Sequence, residues 1–557
     1  MTSPTSPVFA EDCELTNGFG SEPISVSTTP IPAANSGRRT TKRWSFHNDS
    51  KPNLVERPSE ASNQGRRRLS DITGVDGVHK EIDANHISPA QLYSTESGRL
   101  FHAGKICIVL AGLPGRGKTH LSVSLTRYLR WLGVKTHSFH LGDYRRRNFD
   151  DLDQSLFIED TKLRLKIINE CTNDMLNFFE NDKGQVAIYD AVNPFPKNRF
   201  ELHEKFKNLN IQTLFIESSV TDDTIIMKNM ESAAASSPDY ANWDYDKAYK
   251  DYSDRIKALM PYYIPMGDED DNNKLSYIKF INFGERIELH NSNYGYLINK
   301  VVFFLMNSRI KSGSVFFARC HNNSINYSDD PPLDTNGKTY AKNLCYTLIE
   351  HLQKQRKEYV ENIDLGIQDE DGTPGTNTPT SLKQKRSFSL DEKHLPAGAD
   401  GVDVNSMVVW TSVKKRTIES TKYFKAANIN VRHRIQLSQK NPGVVGSMEE
   451  DEIKEAFPTE YEQYLKDPYH HRFSRAESYH DLAIKIEPLI LEMERMSGDV
   501  LIIADESVLR VFYGYLMASS CFDIPYLPFS QDEIIEIKFN AYANVASQIP
   551  IKDFSCK

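Results

Sequence analysis

Gly112-Leu113-Pro114-Gly115-Arg116-Gly117-Lys118-Thr119 decides how this 557-residue chain is read. The apolar run Ile106-Cys107-Ile108-Val109-Leu110 precedes it, and Leu121, Leu125, Tyr128, Leu129 and Leu132 recur after it at helical spacing, so the stretch reads as strand, tight loop, helix. In that setting the pattern G-x-x-x-x-G-K-[ST] has a physical logic. Glycines let backbone N–H groups converge on phosphate oxygens, and the helix N-terminus adds partial positive charge. Gly112, Leu113, Pro114, Gly115, Arg116, Gly117, Lys118, Thr119 and His120 are therefore the candidate ATP-binding residues. Lys118 is placed to reach the β- and γ-phosphates, and the Thr119 hydroxyl to ligate Mg²⁺.

Working outward, buried-strand runs at Thr136–Leu141, Val186–Tyr189 and Thr213–Glu217 alternate with helical stretches. That alternation predicts an α/β domain over 98–310, a parallel sheet with helices on both faces and a P-loop kinase architecture. Asp190 closes one of these strands, at the sheet edge where the loop lies. There it organises Mg²⁺ or accepts the proton of an attacking hydroxyl, or serves only as a turn cap. Lys118 and Asp190 are the candidate catalytic pair, and Thr119 and Asp190 the candidate Mg²⁺ ligands through ATP.

The pattern restarts with Ser314-Val315-Phe316-Phe317-Ala318-Arg319 and a helix from about Asp334 to Gln353. Strands at Met407–Ser412, Val500–Asp505 and Ile534–Phe539 and a helix over Ser478–Met496 complete a second α/β domain, 311–550, before a C-terminal tail, 551–557. Residues 366–405 carry Pro, Gly, Thr, Lys and Asp without periodicity and are expected as a disordered insertion. Residues 1–97, rich in Ser, Thr, Pro, Asn and Arg, are expected as a disordered tail. In it Arg66-Arg67-Arg68-Leu69-Ser70 and Lys42-Arg43-Trp44-Ser45 place Ser70 and Ser45 as basophilic protein kinases prefer.

A composition of 39% hydrophobic and 26% charged residues with net charge −9 suits a globular protein and argues against a nucleic-acid partner. The seven cysteines are odd in number and lack metal-ligand spacing, which fits a reducing compartment. With no apolar run near the ~18–20 residues of a membrane span, the expectation is a cytoplasmic protein with no membrane partner.

Gly112–Thr119, Phe139-His140-Leu141-Gly142-Asp143-Tyr144-Arg145-Arg146, Tyr189-Asp190-Ala191-Val192-Asn193, Ser236-Ser237-Pro238-Asp239-Tyr240, Val409-Trp410-Thr411-Ser412 with Lys415-Arg416-Thr417, and Ala476-Glu477-Ser478-Tyr479 together resemble the bifunctional 6-phosphofructo-2-kinase/fructose-2,6-bisphosphatase family, in the family's order over about residues 100 to 545. The resemblance implies a first domain that phosphorylates the 2-hydroxyl of fructose 6-phosphate with ATP and Mg²⁺, and a second, histidine-phosphatase-like domain. It implies sugar-phosphate binding by Arg145, Arg164 and Arg255, and a homodimer through the kinase domain. Departures are equally specific. The family's nucleophilic histidine falls at Cys320 in Arg319-Cys320-His321-Asn322, and its other phosphate-binding histidine falls at Asp505. Arg319, Arg416 and Arg510 persist in this degenerate phosphatase site, and His321 reads as a bystander. On the kinase side the family's lysine falls at Ala234, a threonine at Val192, an arginine at Asn198 and a tyrosine at Leu259; Lys197, Arg199 and Lys228 are the neighbouring cations available to compensate. Three readings remain open: a 6-phosphofructo-2-kinase with an inactive phosphatase half, an ATP-binding pseudoenzyme that regulates or scaffolds a partner, and a P-loop kinase with a changed small-molecule acceptor.

Overall fold

The computed structural model describes residues 72–80, 88–90, 104–148, 161–240, 243–291, 295–309, 313–322, 327, 329–366 and 407–552. After a two-residue strand β1 (Gly74–Val75), the first domain runs β2 (Ile106–Ala111), α1 (Lys118–Trp131), β3 (Thr136–His140), α2 (Leu141–Asn148), α3 (Thr161–Glu180), β4 (Val186–Asp190), α4 (Pro196–Lys207), β5 (Gln212–Ser219), α5 (Asp223–Ser236), α6 (Tyr245–Leu259), β6 (Tyr277–Ile281), β7 (Arg286–His290) and α7 (Tyr296–Asn307). Its sheet has the order β3-β4-β2-β5-β6-β7, parallel except for β7. Every residue of β2 is buried, because a central parallel strand is covered on both faces. Ile106, Ile108 and Leu110 point into a core built with α1, and Cys107, Val109 and Ala111 into another built with Ile167, Cys171 and Met175 of α3.

The second domain contributes β8 (Val315–Arg319), α8 (Thr335–Gly366), β9 (Val408–Thr411), β10 (Asn430–His433), α9 (Tyr479–Arg495), β11 (Val500–Ala504), α10 (Glu506–Leu516), β12 (Glu533–Phe539) and β13 (Asn544–Pro550). Its sheet order is β1-β13-β12-β8-β11-β9-β10. The two domains share an apolar core. Across it the Trp131 ring meets Tyr515 edge-on at 5.6 Å, while within the first domain Tyr128 stacks on Phe304 at 4.8 Å.

Two boundaries differ from expectation. Residues 72–80 and 88–90, expected within the tail, are packed: Ile72, Val78 and Ala90 are buried and β1 pairs antiparallel with β13. Segments of nine and three residues are too short for a periodicity to be read, and their order comes from tertiary contacts. Helix α8 continues to Gly366, past the expected Gln353, because nothing between them breaks a helix. Residues 367–406, which hold nearly all of the expected insertion, lie outside the described residues, as do Ser45, Ser70 and 553–557. Among the described residues no helix is long and apolar enough to cross a membrane.

Candidate active site

The turn after β2 takes left-handed backbone at Gly112, Gly115 and Gly117, with φ of 136°, 74° and 75°. Two of these glycines are also required by packing. A Cβ on Gly112 would meet the Ser218 carbonyl oxygen at 2.5 Å, and one on Gly117 would meet the Phe283 ring at 1.9 Å. The loop is pinned from outside: Ser218 Oγ donates to the Arg116 carbonyl at 2.6 Å, Asn229 Nδ2 to the Gly115 carbonyl at 2.9 Å, and the Gly115 N–H to Tyr252 Oη at 2.8 Å. Pro114, Gly115, Gly117, Lys118, Thr119 and His120 line a cavity of about 1220 Å³. Gly112, Leu113 and Arg116 are not on its wall and shape the loop from behind.

Lys118 opens α1 and donates from Nζ to the Leu113 carbonyl at 2.8 Å. Burial lowers its pKa to about 8, against the opposing pull of Asp190. Asp190 ends β4 directly across from His140, the last residue of β3, in parallel register. Its Oδ2 accepts from Thr119 Oγ1 at 2.7 Å and lies 2.8 Å from His140 Nδ1. Burial works to raise the Asp190 pKa, but the His140 hydrogen bond and charge, with Lys118 and Thr119, hold it below the usual carboxylate range. Burial likewise pulls His140 down, and Asp190 outweighs it, leaving its pKa raised.

The opposite wall is basic. Asp239 gathers three guanidinium groups: Arg145 from α2 at 2.5 Å, Arg255 from α6 at 3.3 Å, and Arg146 on its other oxygen. Burial opposes ionisation of Asp239, and these arginines hold its carboxyl far below the usual range. Arg145, Arg164 and Arg255, to which the resemblance assigns sugar-phosphate binding, all line the cavity. Three arginines around one carboxylate, with Arg164 beside them, leave a positive excess suited to an anionic group.

Val192, Asn198 and Leu259 also line the cavity, so those departures do face the site. Ala234 does not. It is buried in an apolar cluster with Tyr240 and Ala248. Of the three compensating cations, Lys228 lines the cavity. Arg199 is buried in an ion pair with Asp270 at 2.8 Å, and Lys197 is exposed beside Glu201 at 3.9 Å. Residues to which the sequence reading assigned no role complete the site: His140 and Asp239, both within the quoted motifs, and Asn229, Tyr252 and Tyr542, the last from the β12–β13 turn of the second domain. The equal placement of His140 and Asp190 at adjacent strand ends was the one legible hint; Tyr542 is too far along the chain to be inferred.

In the second domain's degenerate site the arginines are paired with carboxylates. Arg416 Nη2 donates to Asp505 at 3.1 Å and to Gln439 Oε1 at 2.6 Å. Arg510 pairs with Glu506 at 2.8 Å, and Arg319 reaches the same carboxylate at 3.4 Å. Each of the three arginines faces a carboxylate, Arg416 that of Asp505 and both Arg510 and Arg319 that of Glu506. Cys320 donates from Sγ to Asp505 at 3.4 Å, and burial followed by that anion pushes its thiol well above the ordinary value. His321 lies 3.3 Å from Asp334, away from Asp505, which agrees with its reading as a bystander.

Comparison with known proteins places these features in a family. The model for 6-phosphofructo-2-kinase matches residues 93–312, and that for the histidine phosphatase superfamily (branch 1) matches 397–549. A Saccharomyces cerevisiae protein, named provisionally as a 6-phosphofructo-2-kinase/fructose-2,6-bisphosphatase, is 40% identical over 98% of this chain and 99% of its own. The human 6-phosphofructo-2-kinase/fructose-2,6-bisphosphatase 1 is 29% identical over 78% of this chain and 82% of its own. The Saccharomyces cerevisiae fructose-2,6-bisphosphatase is 30% identical over 80% of this chain and 88% of its own. With the phosphate loop, the Asp190 strand end and the arginine wall in one cavity, and a relative matched end to end, the chain belongs to the 6-phosphofructo-2-kinase/fructose-2,6-bisphosphatase family.

Proposed function

We propose that the chain transfers the γ-phosphate of ATP to the 2-hydroxyl of fructose 6-phosphate and that its second domain is not a phosphatase. The observation that carries the reading is that one cavity is lined both by Lys118, Thr119 and Asp190 and by Arg145, Arg164 and Arg255. The loop cradle, free of Cβ atoms where phosphate must approach, and the hard oxygen ligands Thr119 and Asp190 fit ATP with Mg²⁺. Bound Mg²⁺ would neutralise charge on the β- and γ-phosphate oxygens.

The chain's own residues do the rest. Lys118 leaves the Leu113 carbonyl for the β- and γ-phosphates, the exchange of one acceptor for a more strongly charged one. The arginine wall and Lys228 hold the 6-phosphate, orienting the sugar. Asp190 Oδ2 is committed to Thr119 and His140, so Oδ1 is the oxygen left to take the 2-hydroxyl proton as the O–P bond forms and ADP departs. A changed small-molecule acceptor is the second reading, favoured by Val192, Asn198 and Leu259 on the cavity wall. Incubation with Mg-ATP and fructose 6-phosphate, scored for an acid-labile bisphosphate, tests the first; product no greater than from Lys118→Ala sinks it. Other sugar phosphates in the same assay test the second.

The homodimer implied by the family is proposed to use the edge strand β7, where Leu289 is exposed, together with Tyr296, Phe303 and Met306 of α7. Sedimentation of Leu289→Lys as a dimer indistinguishable from wild type would refute this interface.

A further inference from the structure

Behind Asp190 stands a row of side chains that phosphate binding does not use. His140 Nδ1 is on Asp190, and its Nε2 lies 3.0 Å from Ser138 Oγ, which is 2.5 Å from Ser122 Oγ of α1. The buried imidazole is held at both nitrogens, and Nδ1 donates to Asp190 in the neutral tautomer and in the cation alike. Against His140 lies the ring of His79, with centroids 5.6 Å apart; His79 Nε2 is 2.6 Å from the carbonyl oxygen of Tyr542.

His79 belongs to the packed segment 72–80, which is tied to both domains. Asp76 accepts from Arg127 Nη2 of α1 at 3.1 Å and from the Asn544 N–H at 2.8 Å, both buried. Arg130 of α1 donates to the Val78 carbonyl at 2.6 Å, and Gly74 and Val75 pair with Ala546 and Val545. One segment therefore touches the helix that carries Lys118 and Thr119, the strand end that carries His140, and the turn that delivers Tyr542.

We propose that His140 is a positioning residue for Asp190, and that segment 72–80, through His79, holds His140 and the Tyr542 turn in place, so that the kinase centre depends on chain N-terminal to its own domain. Without His140, Thr119 alone orients the carboxylate and its plane is free to swing. The inference rests on Asp190 being the carboxylate of the nucleotide site.

The test uses the full chain as wild type, His140→Ala, His140→Asn and His79→Ala, each titrated calorimetrically with ADP in the presence and absence of Mg²⁺. A hydrogen bond to a charged group corresponds to roughly tenfold or more in an equilibrium. His140→Ala is expected to lose about that much of the Mg²⁺-dependent gain in ADP affinity, with metal-free affinity within about twofold of wild type. His140→Asn, whose amide nitrogen stands where Nδ1 does, keeps most of the gain, and His79→Ala loses a smaller part of it. In the transfer assay kcat falls while KM for ATP holds. An unchanged Mg²⁺ gain in both alanine variants overturns the proposal. If His140→Ala also loses metal-free affinity, His140→Asn decides: a retained gain supports positioning, and a lost gain with intact metal-free affinity refutes it. ADP titration needs no sugar phosphate, so absence of fructose 6-phosphate phosphorylation would sink the proposed function without touching this readout.

Discussion

Replacing Lys118 with methionine should make the ligand-free protein more stable while abolishing nucleotide binding. Lys118 is 7% exposed, and burial brings its ammonium from an ordinary 10.5 down to about 8. That displacement corresponds to about 3 kcal/mol by which the folded state disfavours the charged lysine at neutral pH. Methionine removes the charge at similar volume but leaves the Leu113 carbonyl without its donor, at a cost of about 1 kcal/mol, so the net gain is about 2 kcal/mol. In a domain of this size that is a rise in Tm of about 4–8 °C. The sign has a pH signature. Between about pH 8 and 10.5 the folded wild type binds fewer protons than the unfolded chain, so its stability rises through that window and the advantage of Lys118→Met closes. Scanning calorimetry at pH 7 and pH 10.5 without nucleotide measures both. Mg-ATP at about a hundred times Kd should then stabilise wild type by about 2.7 kcal/mol and leave the variant unmoved. A variant less stable than wild type at pH 7 would refute the claim that burial of this charge, and not its hydrogen bond, dominates the site's energetics.

Lys228→Ala should raise KM for fructose 6-phosphate about tenfold or more with the ADP affinity unchanged, whereas Ala234→Lys should lower Tm and restore nothing, because position 234 faces Tyr240 and Ala248; steady-state kinetics separates the two. Arg199→Ala leaves Asp270 buried and unpaired and should destabilise the protein by about 3–5 kcal/mol in denaturant titration while ADP still binds normally. Asp505→Ala should lower the Tm of the second domain, as expected for a buried Arg416 robbed of its partner, and inorganic phosphate should recover part of the loss; a variant that ignores phosphate would show that the pocket has closed.

Much of this architecture is legible in the sequence because strong local signals coincide with strand ends. The apolar runs at Ile106–Leu110 and Val186–Tyr189 are central parallel strands, buried on both faces, and such strands announce themselves without alternation. Loop, Lys118, Thr119 and Asp190 follow, because a parallel sheet brings the carboxyl ends of neighbouring strands to one edge. What escapes is set by tertiary contact. Segment 72–80 looks like tail since its order comes from Arg127, Asn544 and β13, each far along the chain. Ala234 is misjudged for a related reason: sequence position relative to Ser236-Ser237-Pro238-Asp239 does not say which face of α5 a residue occupies, and a helix turns about 100° per residue. Lys228, on α5, lines the cavity that Ala234 does not reach.

Tertiary contact also sets the charge arrangement around Cys320 in the second domain. A phosphatase pocket concentrates arginines whose charge is compensated only when phosphate is bound, which is a burden on the empty state. Here Asp505 holds Arg416 and the Cys320 thiol, while Glu506 holds Arg510 and Arg319, so two of the three arginine charges are compensated within the fold. Two carboxylates on adjacent residues at the start of α10 thus do for the empty domain what substrate does only transiently. The domain is then free to serve the kinase by another route. Its β12–β13 turn places Tyr542 in the nucleotide cavity, and its strand β13 anchors the segment that carries His79. These contacts lie at the opposite end of the domain's sheet from Cys320 and Asp505, because β12 runs antiparallel to β8 and its carboxyl end leads to Tyr542.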